Sequence, residues 1–232
     1  MIRRENVIKR FIMGMSVLTA YIYYTGNLNM HDINISAEQF MCDLLNILYN
    51  MDLKNANNVT YNNSGYDLIS ENKKIIIQVT VTDTPEKIIR TLNTIKHKVF
   101  EYSEWTEKLR EIRVQKKLDP STYTSKVQDD EKKIRSKLAE NVNLNDYTLY
   151  FMVMKQDATM QRKYKGENNQ GYVCIDEVNF DKKNIWDFST LINKVNSISE
   201  ISSNGEDDLL TEINHFMDKN INVFGMLSEH GN

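Results

Sequence analysis

The sequence predicts an α/β (α+β) fold, a mixed central sheet flanked by helices. Three observations carry this. Long stretches at both ends of the chain repeat apolar residues at helical spacing, as Ile8, Phe11, Met15, Leu18 and Ile22 do. Interior segments such as Ile75 to Thr82 and Tyr147 to Met154 are dense in β-branched and aromatic residues. Only 2 prolines and 8 glycines occur among 232 residues, so breaks are few and helices long.

The first helix is expected from about residue 3 to Tyr24, closed by Gly26, with Ile8, Phe11, Ile12, Met15, Leu18, Thr19 and Ile22 on its buried side. Arg3, Arg4, Lys9 and Arg10 ahead of the apolar run give it the outline of a signal peptide. The run from Phe11 to Tyr24 is shorter than the ~20 residues a bilayer needs, and no small-x-small site follows. A packed helix is the better reading, with no membrane partner. A second helix is expected to start at Ser36, where Ser36-Ala37-Glu38-Gln39 fits a capping box, and to bury Phe40, Met41, Leu44, Leu45, Ile47 and Leu48.

An Asn-rich connection, residues 55 to 65, then leads to a hairpin. Tyr66 to Ile69 and Lys74 to Thr82 are its strands, and Glu71-Asn72-Lys73 its turn. The β-branched second strand belongs in the sheet's centre. Thr84 as N-cap and Pro85 at the first helical position open a third helix that runs to about Lys117. A polar stretch with a solvated helix near Asp129 to Glu140 precedes the strand Tyr147 to Met154, whose partner is expected at Tyr172 to Ile175. Helices near Ile185 to Ile198 and Asp207 to Asn220 close the chain. The expected division is one domain over residues 1–180 and a helical extension over 181–232 packed on it.

Charge narrows the function. A net charge of -3 argues against a protein that coats nucleic acid along its whole surface, so any DNA contact uses a local basic patch. Arg90, Lys96, Lys98, Lys108, Arg110, Arg113, Lys116 and Lys117, then Lys132, Lys133, Arg135 and Lys137, are candidates for following a phosphate backbone. They alternate with Glu101, Glu104, Glu107 and Glu111, which is also the pattern of a solvated mixed-charge face. Cys42 and Cys174 lack any CxxC or His-rich spacing, and the four histidines are scattered, so a reduced, cytoplasmic chain without a zinc site is expected.

The hairpin carries the chemistry. Alternation places Gln78, Thr80 and Thr82 on one face with Ile76, while Ile75, Ile77, Val79 and Val81 make an apolar opposite face. Polar side chains on a core-like strand need partners, and Asp67 on the neighbouring strand can supply one. On its helix, Glu38 lies above Met41, Cys42 and Leu45, partly over the core; the other reading is an exposed first-turn acid favoured by the helix dipole.

The run Asp32-Ile33-Asn34, Glu38-Gln39-Phe40, Asp43-Leu44-Leu45-Asn46, Leu48-Tyr49, Asn55, Gly65-Tyr66-Asp67-Leu68, Ile77-Gln78-Val79-Thr80, Lys87-Ile88 and Thr91-Leu92 resembles the SMEK domain, a divergent relative of the PD-(D/E)xK (restriction-endonuclease-like) superfamily. The likeness covers residues 1–100 best. It implies an αβββαβ core in which Asp67, Gln78 (an amide at the acidic position) and Glu38 from the core helix hold Mg2+ or Mn2+ for phosphodiester hydrolysis. The strand lysine of that pattern is Thr80 here, and Lys87 in the next helix is the candidate replacement.

So read, the chain is a DNA endonuclease acting as a homodimer, the effector of a bacterial anti-phage defence or restriction system, with a companion defence protein or a fused sensor domain as a further expected partner. The competing expectation is a nuclease-derived binding or assembly module that no longer cuts, which the missing strand lysine and the acidic balance favour.

Overall fold

The computed structural model describes residues 4–26, 31–58, 65–155, 158–163, 178–198 and 206–229. The elements are α1 (Arg4–Gly26), α2 (His31–Tyr49), β1 (Lys54–Asn55), β2 (Leu68–Ser70), β3 (Ile75–Thr80), α3 (Pro85–Leu118), α4 (Ser125–Glu140), β4 (Thr148–Val153), the one-turn α5 (Met160–Lys163), β5 (Ile185–Trp186), α6 (Phe188–Ser197) and α7 (Glu206–Glu229). The strands form one mixed sheet in the order β1-β2-β3-β4-β5. Neighbours β1/β2 and β2/β3 run antiparallel, and β3/β4 and β4/β5 run parallel. Connection length accounts for the difference. A short turn joins β2 to β3, whereas α3 and α4 cross over between β3 and β4, as parallel strands require.

β3 is the middle strand, as its β-branched composition predicts, and its two faces feed two cores. Ile77 and Val79 join Leu68 and Met152 beneath α1, α2, α6 and α7, whose Phe11, Leu44, Leu191 and Ile213 are buried there. Ile76 joins Ile69, Leu149 and Phe151 beneath Ile88, Leu92 and Ile95 of α3. Helices therefore cover both faces of the sheet, and the C-terminal helices share a core with the N-terminal ones.

Several elements depart from expectation. α1 buries Val7, Phe11, Met15, Leu18 and Ile22, but Ile12 is exposed, so the buried stripe is narrower than the apolar pattern suggested. Packed against α7, α2 and α6, that helix spends its apolar face on the core. Among the described residues no helix is long and apolar enough to cross a membrane. α2 begins at His31, so Ser36 lies inside the helix and is not its N-cap. A capping sequence is a local signal, and here the helix continues upstream through it. β1 ends on Asn55, the first residue of the expected Asn-rich connection. The expected helix start at Ile185 is instead strand β5, and α6 begins after Asp187, which caps it in a reciprocal bond with Thr190. Residues 172–175, the expected partner of β4, and Cys174 lie outside the described residues.

Two side chains and one glycine place the elements around the head of the sheet. Asn46 of α2 donates to Leu53 O at 2.9 Å and accepts from Leu53 N at 2.7 Å, which ties β1 to α2 as a strand neighbour would. Asp83, between β3 and α3, accepts from Thr159 N and Oγ1, both at 2.9 Å, and from Met160 N, holding the segment after β4 against the start of α3. Gly65 adopts φ +103°, and a Cβ there would stand 3.2 Å from Thr94 Cγ2 of α3. Only glycine combines that conformation with that approach. Gly65→Ala is therefore expected to lower unfolding free energy by on the order of 2 kcal/mol. Urea denaturation measures it, and an unchanged midpoint would contradict this account of the turn.

Candidate functional site

Asp67 stands immediately ahead of β2, where the pairing Leu68↔Ile77 runs out toward Gln78. Its N–H donates to Ile77 O at 2.9 Å, and its carbonyl accepts from Ala56 N at 2.8 Å. Its carboxylate Oδ2 accepts the Val79 N–H at 2.7 Å and is also bonded by the Gln78 amide nitrogen. Gln78 Nε2 donates to Val79 O as well, at 3.1 Å. Asp67 and Gln78 are 8% and 7% exposed, so water does little to solvate this carboxylate. The partnership expected between the polar strand face and Asp67 is present.

Glu38 sits about two turns into α2. The helix dipole at the first turn therefore does not account for it, and the exposed first-turn reading falls with the displaced helix start. Asn57 Nδ2 donates to Glu38 Oε2 at 2.8 Å. Burial raises the Glu38 carboxyl above its ordinary pKa, opposed by the amides of Asn57 and Asn55. Asp67 is pushed up to about 7, first by burial and then by the negative charge of Glu38; the Val79 N–H and the positive charge of Lys87 pull the other way. Glu38 and Lys87 thus both lie within electrostatic reach of Asp67. Lys87 is half-buried in the first turn of α3. Thr80 is buried at the end of β3, where its Oγ1 accepts the Thr82 N–H at 3.0 Å, while Thr82 is exposed beyond the strand.

Asn55 and Asn57 are the members that the sequence pattern did not assign to the site. Both fell in what reads as a linker, and only their proximity to Glu38 gives them a role. Asn55 is 4% exposed; its Oδ1 accepts from Asn57 N at 2.9 Å, and its amide is one of the two that act on Glu38.

The buried Asp67 carboxylate, the half-buried Glu38 that raises its pKa, and an amide beside them form a set of hard oxygen donors suited to Mg2+ or Mn2+. A cation between them would relieve the strain that burial imposes on both. Gln78 turns its nitrogen to Asp67, so a half-turn of the amide is needed to present Oε1 beside that carboxylate. Among the described residues no group of three or more His, Cys, Asp and Glu side chains gathers as a metal site, so the donor set is two carboxylates plus amides. Cys42 is no candidate: its buried thiol donates to Leu53 O at 3.3 Å and burial raises its pKa to about 11. Four basic residues of α3 and α4 are engaged by groups of the same helices or the segment between them. Arg135 bonds Glu131, Arg110 faces Glu107, and Lys116 and Lys137 rest over Tyr123 and Trp105.

The chain matches the family model of the SMEK domain over residues 10–142, more than half its length and inclusive of Glu38, Asp67, Gln78 and Lys87. No curated protein and no solved structure matches it.

The raised pKa of Asp67 carries a sign for stability. Between its ordinary value, 3.8, and about 7 the folded chain holds a proton that the unfolded chain has released. Stability is therefore lost as pH rises through that window, and the full penalty is present above it. Without added metal, thermal melts of the wild type should fall in midpoint between about pH 4 and pH 7, and Asp67→Asn should flatten that fall. At the alkaline end the variant should be the more stable by on the order of 2 kcal/mol. Parallel profiles for the two proteins would show that Asp67 is not held protonated by the fold.

Proposed function

The chain belongs to the SMEK domain family, and from that membership we propose that it is a metal-dependent DNA endonuclease with a PD-(D/E)xK-type site, the effector of a bacterial defence or restriction system. The observation that carries this reading is the convergence at one end of the sheet. Asp67 and Gln78 touch across adjacent strands, and Glu38 and Lys87 stand within electrostatic reach. The order α2-β1-β2-β3-α3-β4, with α4 inserted before β4, follows the αβββαβ order of that superfamily's core and supports the reading.

Asp67, Gln78 and Glu38 would hold Mg2+ or Mn2+, which when bound supplies an activated water and positive charge beside the scissile phosphate. The chain's own residues set the conditions. Asp67 has to be ionised to act as a ligand, and its burial resists that below about pH 7. The Gln78 amide has to turn over, releasing its bond to Asp67. Lys87 contributes the ammonium that Thr80, whose hydroxyl carries no charge, cannot. Cutting both strands of a duplex takes two such sites, hence a homodimer.

A second reading, a binding or assembly module that does not cut, is favoured by two specific observations. Thr80 stands at the lysine position, and protein groups already satisfy the Asp67 carboxylate.

Plasmid cleavage separates the two. With Mg2+ or Mn2+ the wild type should nick or linearise supercoiled DNA, Asp67→Ala should abolish this, and Lys87→Ala should slow it about 10²-fold. DNA binding without cleavage, over a range of protein concentration and with either metal, would select the binding module. Cleavage that survives in Asp67→Ala would remove this site from the reaction.

A further inference from the structure

The short segment from Asn55 to Asn57 reaches both carboxylate-bearing residues of the site. The Asn57 amide donates from Nδ2 to Glu38 Oε2 at 2.8 Å, and the Asn55 amide acts on the same carboxyl. Between them, the Ala56 N–H donates to the Asp67 carbonyl at 2.8 Å. Glu38 arrives on α2 and Asp67 on the approach to β2, so this segment joins the two through hydrogen bonds.

The segment is itself held. Asn55 is buried, pairs with Leu68 in the β1/β2 ladder, and accepts the Asn57 N–H on its Oδ1 at 2.9 Å, which fixes the direction in which Asn57 leaves the chain. Asn46 ties Leu53, just upstream, back to α2. The Asn57 amide therefore meets Glu38 from a fixed base, unlike a surface side chain that settles on a nearby acid.

The choice of amides has a consequence for charge. A half-buried carboxylate needs hydrogen bonds, and a lysine or arginine would supply them while cancelling its charge. An amide restrains the group and leaves the charge in place, where it acts on Asp67. Two amide donors also leave acceptor capacity over, since an ionised carboxylate has roughly four lone-pair sites.

We propose that Asn57, supported by Asn55, is a positioning residue for the divalent ion, orienting the Glu38 carboxylate so that it can share that ion with Asp67. The inference rests on the reading of Glu38, Asp67 and Gln78 as metal ligands. Neither asparagine has to touch the ion; each acts through Glu38. Hydrogen-bond partners of this kind commonly contribute about tenfold or more to metal affinity. A merely structural contact would instead act alike whether or not Glu38 carries a charge.

Mn2+ titration of the full chain, followed by loss of the free-ion EPR signal, tests this without recourse to cleavage. The wild type should bind Mn2+ saturably, and Asn57→Ala should weaken binding about tenfold. Glu38→Gln keeps the shape and removes the charge, and should weaken binding at least as much. Adding Asn57→Ala to Glu38→Gln should then have no further effect, because the asparagine has no carboxylate left to orient. Asn57 is half-buried, and Asn57→Ser repeats the test should the alanine variant not fold. Wild-type affinity in Asn57→Ala, or an equal further loss when that substitution is added to Glu38→Gln, would overturn the proposal and leave Asn57 a structural residue. Binding unchanged by Glu38→Gln would overturn it as well, by removing Glu38 from the ligand set. A wild type that binds no Mn2+ would instead contradict the metal-dependent reading itself, and the proposal falls with it.

Discussion

Where β2 gives out, the Asp67 carboxylate accepts the Val79 N–H that a further backbone carbonyl would have taken in a longer strand. A charged group thereby completes a ladder inside the protein, and the rest of the site follows from that substitution. The carboxylate has to be buried to reach the N–H, and burial raises its pKa. The Gln78 amide sits beside it because the two residues face each other across the hairpin. Glu38 makes the position harder still, adding a second negative charge from a helix on which it is itself half-buried. An arrangement so unfavourable without a cation is how functional sites are commonly built, although structural networks also perturb carboxylates.

The surrounding elements keep this arrangement in place. α2 brings Glu38 to the sheet and is tied to β1 through Asn46 and Leu53, so the helix carrying Glu38 and the strand carrying Asn55 move as one piece. Gly65 lets the chain pass close to α3 just before Asp67. Asp83 anchors the start of α3, and with it Lys87, to the segment after β4. Packed helices thus carry Glu38 and Lys87 to Asp67, which itself stands just ahead of β2.

Much of this was legible in the sequence, for reasons that can be named. Thr84-Pro85 marks the start of α3 because proline at the first helical position loses no hydrogen bond, and the helix begins there. The run Ile75-Ile76-Ile77 with Val79 marks a central strand, and β3 is central because it has two cores to feed. The contact of Asp67 with Gln78 follows from strand alternation together with a hairpin. What escaped notice depends on tertiary context. β1 is two residues long and exists through its pairing with β2, which no pattern of so short a length can announce. Ser36 has the chemistry of an N-cap, yet α2 extends past it. Asn55 and Asn57 look like linker residues until Glu38 is placed above them. Ile12 matches the apolar period of α1, but the face it occupies meets no neighbour and stays exposed.

The central claim is that Asp67 and Glu38 form one electrostatically coupled pair, and carboxyl carbon chemical shifts followed by NMR over a pH series test it most directly. Asp67 should titrate at about 7, and Glu38→Gln should move that titration toward the ordinary aspartate value. Addition of Mg2+ should move it down as well, because the cation favours the ionised form. A titration near pH 4 that ignores both changes would contradict the account and leave Asp67 a strand-end cap with no part in a site.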